Sequence, residues 1–230
     1  MAEVLDRIAE RIVGCTRCPD LRAYCAQVAR EKRRAYASES YWGKPVPAFG
    51  DPRARLMLVG LAPGAHGSNR TGRAFTGDAS GDFLYPALHR AGFASAARAT
   101  ARNDGLILYD CFITAAGRCA PPNNKPTPQQ LRNCFPYLLE EFDALPNLQV
   151  VVGLGKIGFD AVIRMLKERA FDFETRRIAF GHGAHYVAES RARRITAIAT
   201  YHPSRQNTNT GKLTVPMFDT IFTEARTLLR

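Results

Sequence analysis

Four short apolar runs, each followed along the chain by a segment of helical periodicity, constrain the fold of this 230-residue sequence most strongly. Nearly continuous apolar strands are typical of parallel sheets that are covered by helices on both faces. The alternation therefore predicts an α/β fold with a mainly parallel sheet. No linker interrupts the pattern, so we expect one domain over residues 1–230. The runs are RLMLVGLA (55–62), GLILYDCFITAA (105–116), NLQVVVGLG (147–155) and RRITAIATYHP (193–203).

Helical segments lie between and around these runs. An amphipathic helix is predicted to end near Gly14, and Thr127 followed by Pro128 is a good helix start. Pro136 is expected to interrupt that helix. Residues 22–50 are mixed and receive no element, whereas a hairpin is predicted just before the last run. The remaining helices are predicted over 81–93, 156–170 and 215–230.

The charge balance points to a polyanionic partner. Lys and Arg total 32 against 21 Asp and Glu, a formal net charge of +11. Nucleic acid is the first candidate for such a surplus, while solubility alone is the alternative explanation. The charge therefore raises the question of nucleic acid without answering it.

Membrane and secretory classes are excluded by the hydropathy pattern. No stretch approaches the roughly 18 consecutive apolar residues of a membrane span. The start, MAEVLDRIAERIVG, has the charges of an amphipathic helix and lacks the apolar region of a signal peptide. We therefore expect a cytoplasmic protein with reduced thiols and no membrane partner.

Six cysteines in a reducing compartment indicate metal binding, catalysis or burial before disulfides. Cys15 and Cys18 form a C-x2-C pair, and Cys119 and Cys134 are a more distant pair. Four thiolates of this kind could hold structural zinc or an iron–sulfur cluster. Cys25 and Cys111 fit burial better.

Three loops that follow predicted strands carry most of the unusual chemistry. Ligand sites in open parallel sheets gather in loops at the carboxyl ends of the strands. The Gly-rich loop suits a backbone cradle for a ligand, with Phe75 either stacking on a base or anchoring the loop. Asp82 fits the N-cap of the next helix, which leaves Asp78 freer for chemistry. The loops are GLAPGAHGSNRTGRAFTGDASGD (60–82), AGRCAPPNNKP (116–126) and YHPSRQNTNTGK (201–212).

The second and third loops offer groups that could read a base and bind phosphate. Asn123 and Asn124 could hydrogen-bond a base edge, or serve only as turn residues. His202 could donate to a developing oxyanion or act in acid–base chemistry, although a histidine at a strand end is more often structural. Arg205 and Lys212 suit phosphate contacts, or belong to a solvated loop. With Arg70, Arg73 and Ser204 they are the candidate contacts to a nucleic-acid backbone.

These blocks resemble one family. GLAPGAHGSNRTGRAFTGDASGDFL is similar to the first motif of the uracil-DNA glycosylase superfamily, specifically of its family 5 (type B). YHPSRQNTNTGKLT resembles the His-Pro-Ser motif of that family, and CTRCP with RCAPPNNKPTP and NCFPYL resembles its iron–sulfur pattern. The matching blocks run in order from Cys15 to Lys212.

The resemblance implies a three-layer α/β/α sandwich around a short parallel sheet, and removal of uracil from duplex DNA by hydrolysis of the N-glycosidic bond. It also implies a structural [4Fe-4S] cluster on Cys15, Cys18, Cys119 and Cys134, which would tie down the N-terminal segment. Such enzymes act as monomers on a base flipped out of the duplex.

The motif match further implies individual roles in the site. Phe75 would stack on the flipped base, Asn124 would read its edge, and backbone N–H groups around Gly64 and Ala65 would line the pocket. His202 would contact the uracil oxygen as a catalytic residue.

The usual water-activating side chain is missing, because that position is Ala65, followed by His66. We expect Asp78 to act instead, with His66 and Asn124 as reserves. The missing side chain also implies a roomier pocket, and with it activity on hypoxanthine and other deaminated bases. The alternatives are a non-catalytic binder of damaged DNA on the same fold, and a nucleotide-binding α/β hydrolase with structural zinc.

Overall fold

A computed structural model describes all 230 residues and contains one seven-stranded mixed sheet. The strand order is β1-β3-β2-β4-β7-β6-β5. The four central strands β3, β2, β4 and β7 are parallel, while β1 joins one edge and β6 and β5 the other in antiparallel register. The strands are β1 (Phe49–Gly50), β2 (Leu56–Gly60), β3 (Cys111–Ala115), β4 (Val150–Leu154), β5 (Asp172–Phe173), β6 (His185–Glu189) and β7 (Arg194–Thr200).

Eight helices surround the sheet, and none is long and apolar enough to cross a membrane. Residues 34–36 and 122–124 add two short 3-10 turns. The helices are α1 (Ala2–Val13), α2 (Pro19–Glu31), α3 (Ser68–Thr71), α4 (Ala79–Arg90), α5 (Pro128–Asp143), α6 (Gly155–Glu168), α7 (Arg205–Asn209) and α8 (Val215–Leu228).

Two hydrophobic clusters, one on each face of the sheet, make a three-layer fold. Side chains alternate along β2: Leu56 and Leu58 pack with α4 and α8, whereas Met57 and Val59 pack with α5 and α6. Every residue of β2 and of β4 is buried. Strands covered on both faces account for the continuous apolar runs, and the predicted α/β/α sandwich is confirmed.

Several boundaries differ from the sequence-based expectation. The second apolar run enters the sheet only at Cys111, since residues 105–110 lie outside it. The predicted hairpin is present as β6 paired with β7. Thr127 caps α5 with a complete capping box, as predicted. Pro136, however, lies inside an uninterrupted α5, because the buried apolar face of the helix compensates for one missing hydrogen bond.

The carboxyl ends of the parallel strands bring the functional loops together. The loops after β2, β3 and β7 line the same cavity, as the open-sheet rule predicts. At the amino end of the chain, α1 packs on α5 through Ile8, Ile12 and Tyr137. The stretch between α1 and α2 carries Cys15 and Cys18, so this packing directs both cysteines toward α5.

Candidate active site

A cavity of about 750 Å³ opens at the carboxyl edge of the sheet. Its walls come from all three loops singled out in the sequence, and residues 33, 36, 46 and 47 close one side. Asp78, Phe75, Asn124 and His202 all line it. The structure thus brings together side chains that are up to 127 positions apart in the sequence (75 and 202).

Asp78 both caps helix α4 and lines the cavity. The expectation that Asp82 caps this helix is wrong. Oδ1 of Asp78 accepts hydrogen bonds from the backbone N–H groups of Ser80 (3.0 Å) and Gly81 (3.2 Å), which makes Asp78 the N-cap of α4. Asp82 lies one turn inside that helix and is exposed.

The second carboxylate oxygen of Asp78, Oδ2, faces the Gly-rich loop. A Cβ placed on Gly64 would lie 2.8 Å from Oδ2, and one on Gly67 would collide with it. Burial raises the pKa of Asp78, and the N–H groups of Gly81 and Ser80 oppose that shift. A desolvated carboxylate with one oxygen left for a ligand is suited to accept a proton.

Phe75 forms the floor of the cavity. Its backbone is in the left-handed region, with φ at +50°. A Cβ on Gly60 would lie 2.8 Å from the ring Cζ, so glycine at the end of β2 makes room for the aromatic ring. The ring packs against the core below, and its centroid lies 5.9 Å from that of His202. Phe75 is therefore both a loop anchor and a platform beside His202.

His202 is held neutral at the wall of the cavity. Burial lowers its pKa to about 4. Its carbonyl accepts hydrogen bonds from the Asn207 side chain (2.8 Å) and from the backbone N–H of Ser204 (2.8 Å), which fix the loop after β7. A neutral imidazole can present an N–H to a developing oxyanion without the cost of a buried positive charge.

Asn123 and Asn124 stand exposed at the cavity mouth. Both have φ at +54°, a conformation that asparagine tolerates better than most residues. Asn124 makes no side-chain hydrogen bond within the protein, so its amide is free to bind a ligand. The turn role and the binding role considered for this pair are compatible.

His66 is held by a hydrogen bond to Tyr41, a residue outside the Gly-rich loop. The Tyr41 hydroxyl accepts from the backbone N–H of Arg33 (3.3 Å) and lies 3.1 Å from Nδ1 of His66. Burial, together with the charges of Arg33 and Arg70, lowers the pKa of His66 and keeps the ring neutral.

Arg70 is a buried structural residue, contrary to the prediction that it binds the DNA backbone. Its guanidinium forms an ion pair with Glu39, donates to the carbonyls of His66 (2.8 Å) and Gly77 (2.7 Å), and stacks over Tyr36 at 3.9 Å. The backbone N–H groups of residues 42 and 43 donate to the carbonyls of residues 70 and 69. Residues 34–43, which we call the clamp segment, thus fasten the Gly-rich loop.

Arg73 is also misassigned as a DNA contact. It is 3% exposed and forms a two-pronged ion pair with Asp104 at 2.7 Å and 2.6 Å. This contact lowers the pKa of Asp104 against the opposing effect of burial, with further help from backbone N–H groups. Both arginines are held by carboxylates and backbone carbonyls of the protein, and neither lines the cavity.

Unpaired cations do rim the cavity: Arg205, which was predicted, and Arg33 and Lys125, which were not. Arg205 is exposed on the first residue of α7 and lines the mouth beside Ser204, and Arg33 and Lys125 line the opposite side. None of these three cations forms an ion pair in the structure. Lys212 lies further out, over the ring of Tyr201 at 4.8 Å. Arg33 belongs to the charged run REKRR (30–34), which the predicted phosphate contacts did not include.

The four predicted metal ligands converge on one side of the cavity. Cys18 packs with Cys119 in a small buried cluster, and its Sγ accepts from the Asn133 amide at 3.3 Å. Burial raises the pKa of Cys134, and the thiols of Cys18 and Cys15 act in the same direction, so all three are neighbours. No three Cys, His, Asp or Glu side chains are close enough to hold a single metal ion.

Buried donors without acceptors adjoin these thiols. Nη1 of Arg22 and Nε of Arg118 are inaccessible to solvent and have no hydrogen-bond partner in the protein. Buried polar groups are almost always satisfied, so their surroundings fit an additional acceptor. Four free thiols beside such donors therefore fit an anionic metal–sulfur group.

Comparison with known proteins agrees with the motifs. The family model for the uracil DNA glycosylase superfamily matches residues 47–226. A type-5 uracil-DNA glycosylase of Thermus thermophilus is 49% identical over 228 residues, which cover 97% of this chain and 99% of the relative. A type-5 uracil-DNA glycosylase of Mycobacterium bovis is 44% identical over 93% of this chain and 78% of the relative.

More distant relatives carry a different type name. A type-4 uracil-DNA glycosylase of Archaeoglobus fulgidus is 30% identical over 88% of this chain and 82% of the relative. The matches cover the sheet, the cavity loops and, for all three relatives, most of the chain. The protein belongs to the uracil-DNA glycosylase superfamily.

Proposed function

We propose that this protein is a uracil-DNA glycosylase that hydrolyses the bond between uracil and deoxyribose and leaves an abasic site. The observation that carries the proposal is the convergence of Asp78, Phe75 and His202 on one cavity in a chain of this superfamily. A base stacked in a duplex cannot reach such a cavity, so the nucleotide must be flipped into it.

Binding of the base follows from the walls of the cavity. Phe75 offers a ring on which the flipped base can stack, and the Asn124 amide can both donate to and accept from its edge. Arg33 and Lys125 at the mouth replace Arg70 and Arg73 as the proposed phosphate contacts, and Ser204, Arg205 and Lys212 are retained.

Bond cleavage produces two charges, and the cavity has a group for each. The C1′–N1 bond breaks with its electron pair leaving on the base, and the N–H of neutral His202 stabilises the oxyanion that develops on uracil. One such donor is worth about 2.7–4 kcal/mol. Oδ2 of Asp78 orients a water molecule and takes its proton as the water oxygen bonds to C1′, a division of labour shared with other glycoside hydrolases.

The pocket is proposed to admit other deaminated bases, including hypoxanthine. Ala65 contributes only a methyl group where a larger side chain would narrow the entrance, and about 750 Å³ leaves room for a purine. Action on double-stranded DNA and a monomeric state belong to the same proposal.

We propose a [4Fe-4S] cluster on Cys15, Cys18, Cys119 and Cys134. The proposal is supported by four free cysteines from three parts of the chain, which is the number of thiolates that such a cluster takes, each on a different iron. When bound, the group would supply structural cross-linking between the α1–α2 junction, the loop after β3 and α5. No catalytic step depends on it, since His202 and Asp78 perform the chemistry.

One experiment separates the glycosylase from a non-catalytic binder of damaged DNA. The purified protein is incubated with an end-labelled duplex that contains one uracil, and the product is treated with alkali. We expect strand cleavage at the uracil and none in a matched duplex with thymine. A retarded complex without alkali-sensitive product would instead establish the binder. Parallel duplexes with hypoxanthine, and a uracil-containing single strand, test the wider claims.

A further inference from the structure

Two arginines beside the cysteine cluster each have a buried N–H group with no acceptor. They are Arg118, which is 2% exposed and lacks a partner for Nε, and Arg22, which lacks one for Nη1. The uracil chemistry uses neither residue. Unsatisfied buried donors on two charged side chains at one place indicate that something else accepts from both.

Arg22 lies on the face of α2 that points to the cysteines. It is four residues after Cys18 and three before Cys25, and residues at these intervals share one face of a helix. Its positive charge acts to lower the pKa values of Cys25 and Cys119. No carboxylate forms an ion pair with Arg22, so no protein group neutralises it.

Arg118 is held against the cysteine-bearing face of α5. Its Nη2 donates to Oε2 of Glu141 at 2.6 Å, and both side chains are 2% exposed. Glu141 and Cys134 are seven residues apart on α5, hence on the same face about two turns from each other. Burial raises the pKa of Cys134, and the backbone N–H and the charge of Arg118 act in the opposite direction, so the two residues are neighbours.

The ion pair with Glu141 satisfies only some of the N–H donors of the Arg118 guanidinium. Thr114 also donates to Oε2 of Glu141, at 2.6 Å, so that this oxygen is shared. Nε remains without an acceptor although it is as deeply buried as the rest of the guanidinium. Arg118 also lines the base cavity, so one side chain touches both the cavity and the cysteine cluster.

We propose that Nε–H of Arg118 and Nη1–H of Arg22 donate hydrogen bonds to sulfur atoms of the metal–sulfur group bound by Cys15, Cys18, Cys119 and Cys134. This inference rests on the proposed cofactor. Four thiolates around a [4Fe-4S]²⁺ core, or around Zn²⁺, carry a net charge of −2, and a buried anion of this kind needs both donors and positive charge. The arginines are positioning residues that stabilise the group without binding metal.

The experiment compares matched variants of the full chain, purified without oxygen. Arg22→Met removes one donor, with Arg132→Gln, an exposed arginine on α5, as the control for net charge. Arg118→Met is combined with Glu141→Gln so that no buried carboxylate is left unpaired, and Glu141→Gln alone is its control. Iron, sulfide and zinc are measured, followed by the reduction potential and the rate of bleaching by an iron chelator.

We expect Arg22→Met to shift the reduction potential to more negative values than the wild type, and the Arg118→Met/Glu141→Gln protein to do so relative to Glu141→Gln alone. In each of these comparisons one positive charge and one hydrogen bond to sulfur are lost, which favours the oxidised group. Bleaching should accelerate about tenfold in the same two comparisons, as expected for loss of a charge-assisted hydrogen bond, whereas Arg132→Gln should match the wild type. A wild-type cluster whose potential and bleaching rate are unchanged in both arginine variants would overturn the inference and leave the cofactor proposal standing.

Zinc in place of iron and sulfide would overturn the cofactor proposal, and the arginines would then be tested by the rate of zinc release to a chromophoric chelator. Faster release in Arg22→Met and in the Arg118→Met/Glu141→Gln protein supports their role, and equal rates refute it. A wild-type chain that carries neither iron nor zinc refutes both proposals.

Discussion

Two substitutions of Asp78, to Asn and to Ala, separate its structural role from its catalytic role. Asp78→Asn keeps an oxygen that can accept from the N–H groups of Ser80 and Gly81, so the N-cap of α4 survives while the carboxylate is lost. Asp78→Ala removes both. The two variants should therefore be equally inactive but unequally stable.

The magnitudes follow from the contacts of the carboxylate. Loss of a general base typically costs about 10²–10⁴ in rate, and we expect this for both variants. Asn and Asp are nearly equivalent as N-caps, whereas Ala costs about 1 kcal/mol, or about 2–4 °C in the unfolding midpoint of a chain this long. Because burial raises the pKa of Asp78, the ionised carboxylate is destabilising at neutral pH, and Asn should match or exceed the wild-type midpoint.

The assay is single-turnover release of uracil from a labelled duplex, with unfolding followed by circular dichroism. In the wild type, the rate should fall as the pH is lowered toward the raised pKa of Asp78, since only the ionised form accepts a proton. An Asp78→Asn protein with the wild-type rate would show that Asp78 is only a helix cap. An Asn variant as unstable as the Ala variant would refute the capping argument instead.

Three further predictions concern the Gly-rich loop, His202 and the arginines around the cavity. Gly67→Ala should abolish uracil release with only a small loss of stability, since its Cβ would displace Oδ2 of Asp78; wild-type activity would contradict this geometry. The ring of His202, assigned by NMR with the help of His202→Gln, should remain neutral until the pH approaches its pKa of about 4, and titration near the ordinary value of 6.5 would refute the burial argument. Arg205→Ala should weaken binding to any duplex and reduce the slope of log affinity against log salt by about one. Arg73→Ala should instead lower the unfolding midpoint, and a salt slope reduced by this variant as well would show that Arg73 contacts the DNA backbone.

The sequence predicted the sheet and the convergence of the loops because both depend on local hydrophobic patterns. Continuous apolar runs are a direct consequence of burial on both faces, as in β2 and β4. The helix α2 was missed because its pattern is weakly amphipathic: only Leu21, Cys25 and Val28 are buried along its length.

The errors within the site have a different origin. The sequence does not show whether an arginine in a Gly-rich loop faces phosphate or a carboxylate of the same protein. The carboxylate partner of Arg70, like that of Arg73, lies 31 residues away along the chain. Likewise, Asp78 and Asp82 are both plausible caps, and only the position at which α4 begins distinguishes them. Such roles depend on tertiary contacts that periodicity does not encode.

The clamp segment has a consequence for how the protein can select a base. If the Gly-rich loop became ordered only on contact with DNA, the loss of its conformational entropy would weaken binding. Here the stack of Arg70 on Tyr36 and the hydrogen bond between Tyr41 and His66 fix the loop during folding. We therefore expect selection by fit to a preformed pocket, which would exclude a base of the wrong shape or with the wrong hydrogen-bonding edge. Changes within residues 34–43, outside the catalytic motifs, should thus be one route by which substrate range is altered.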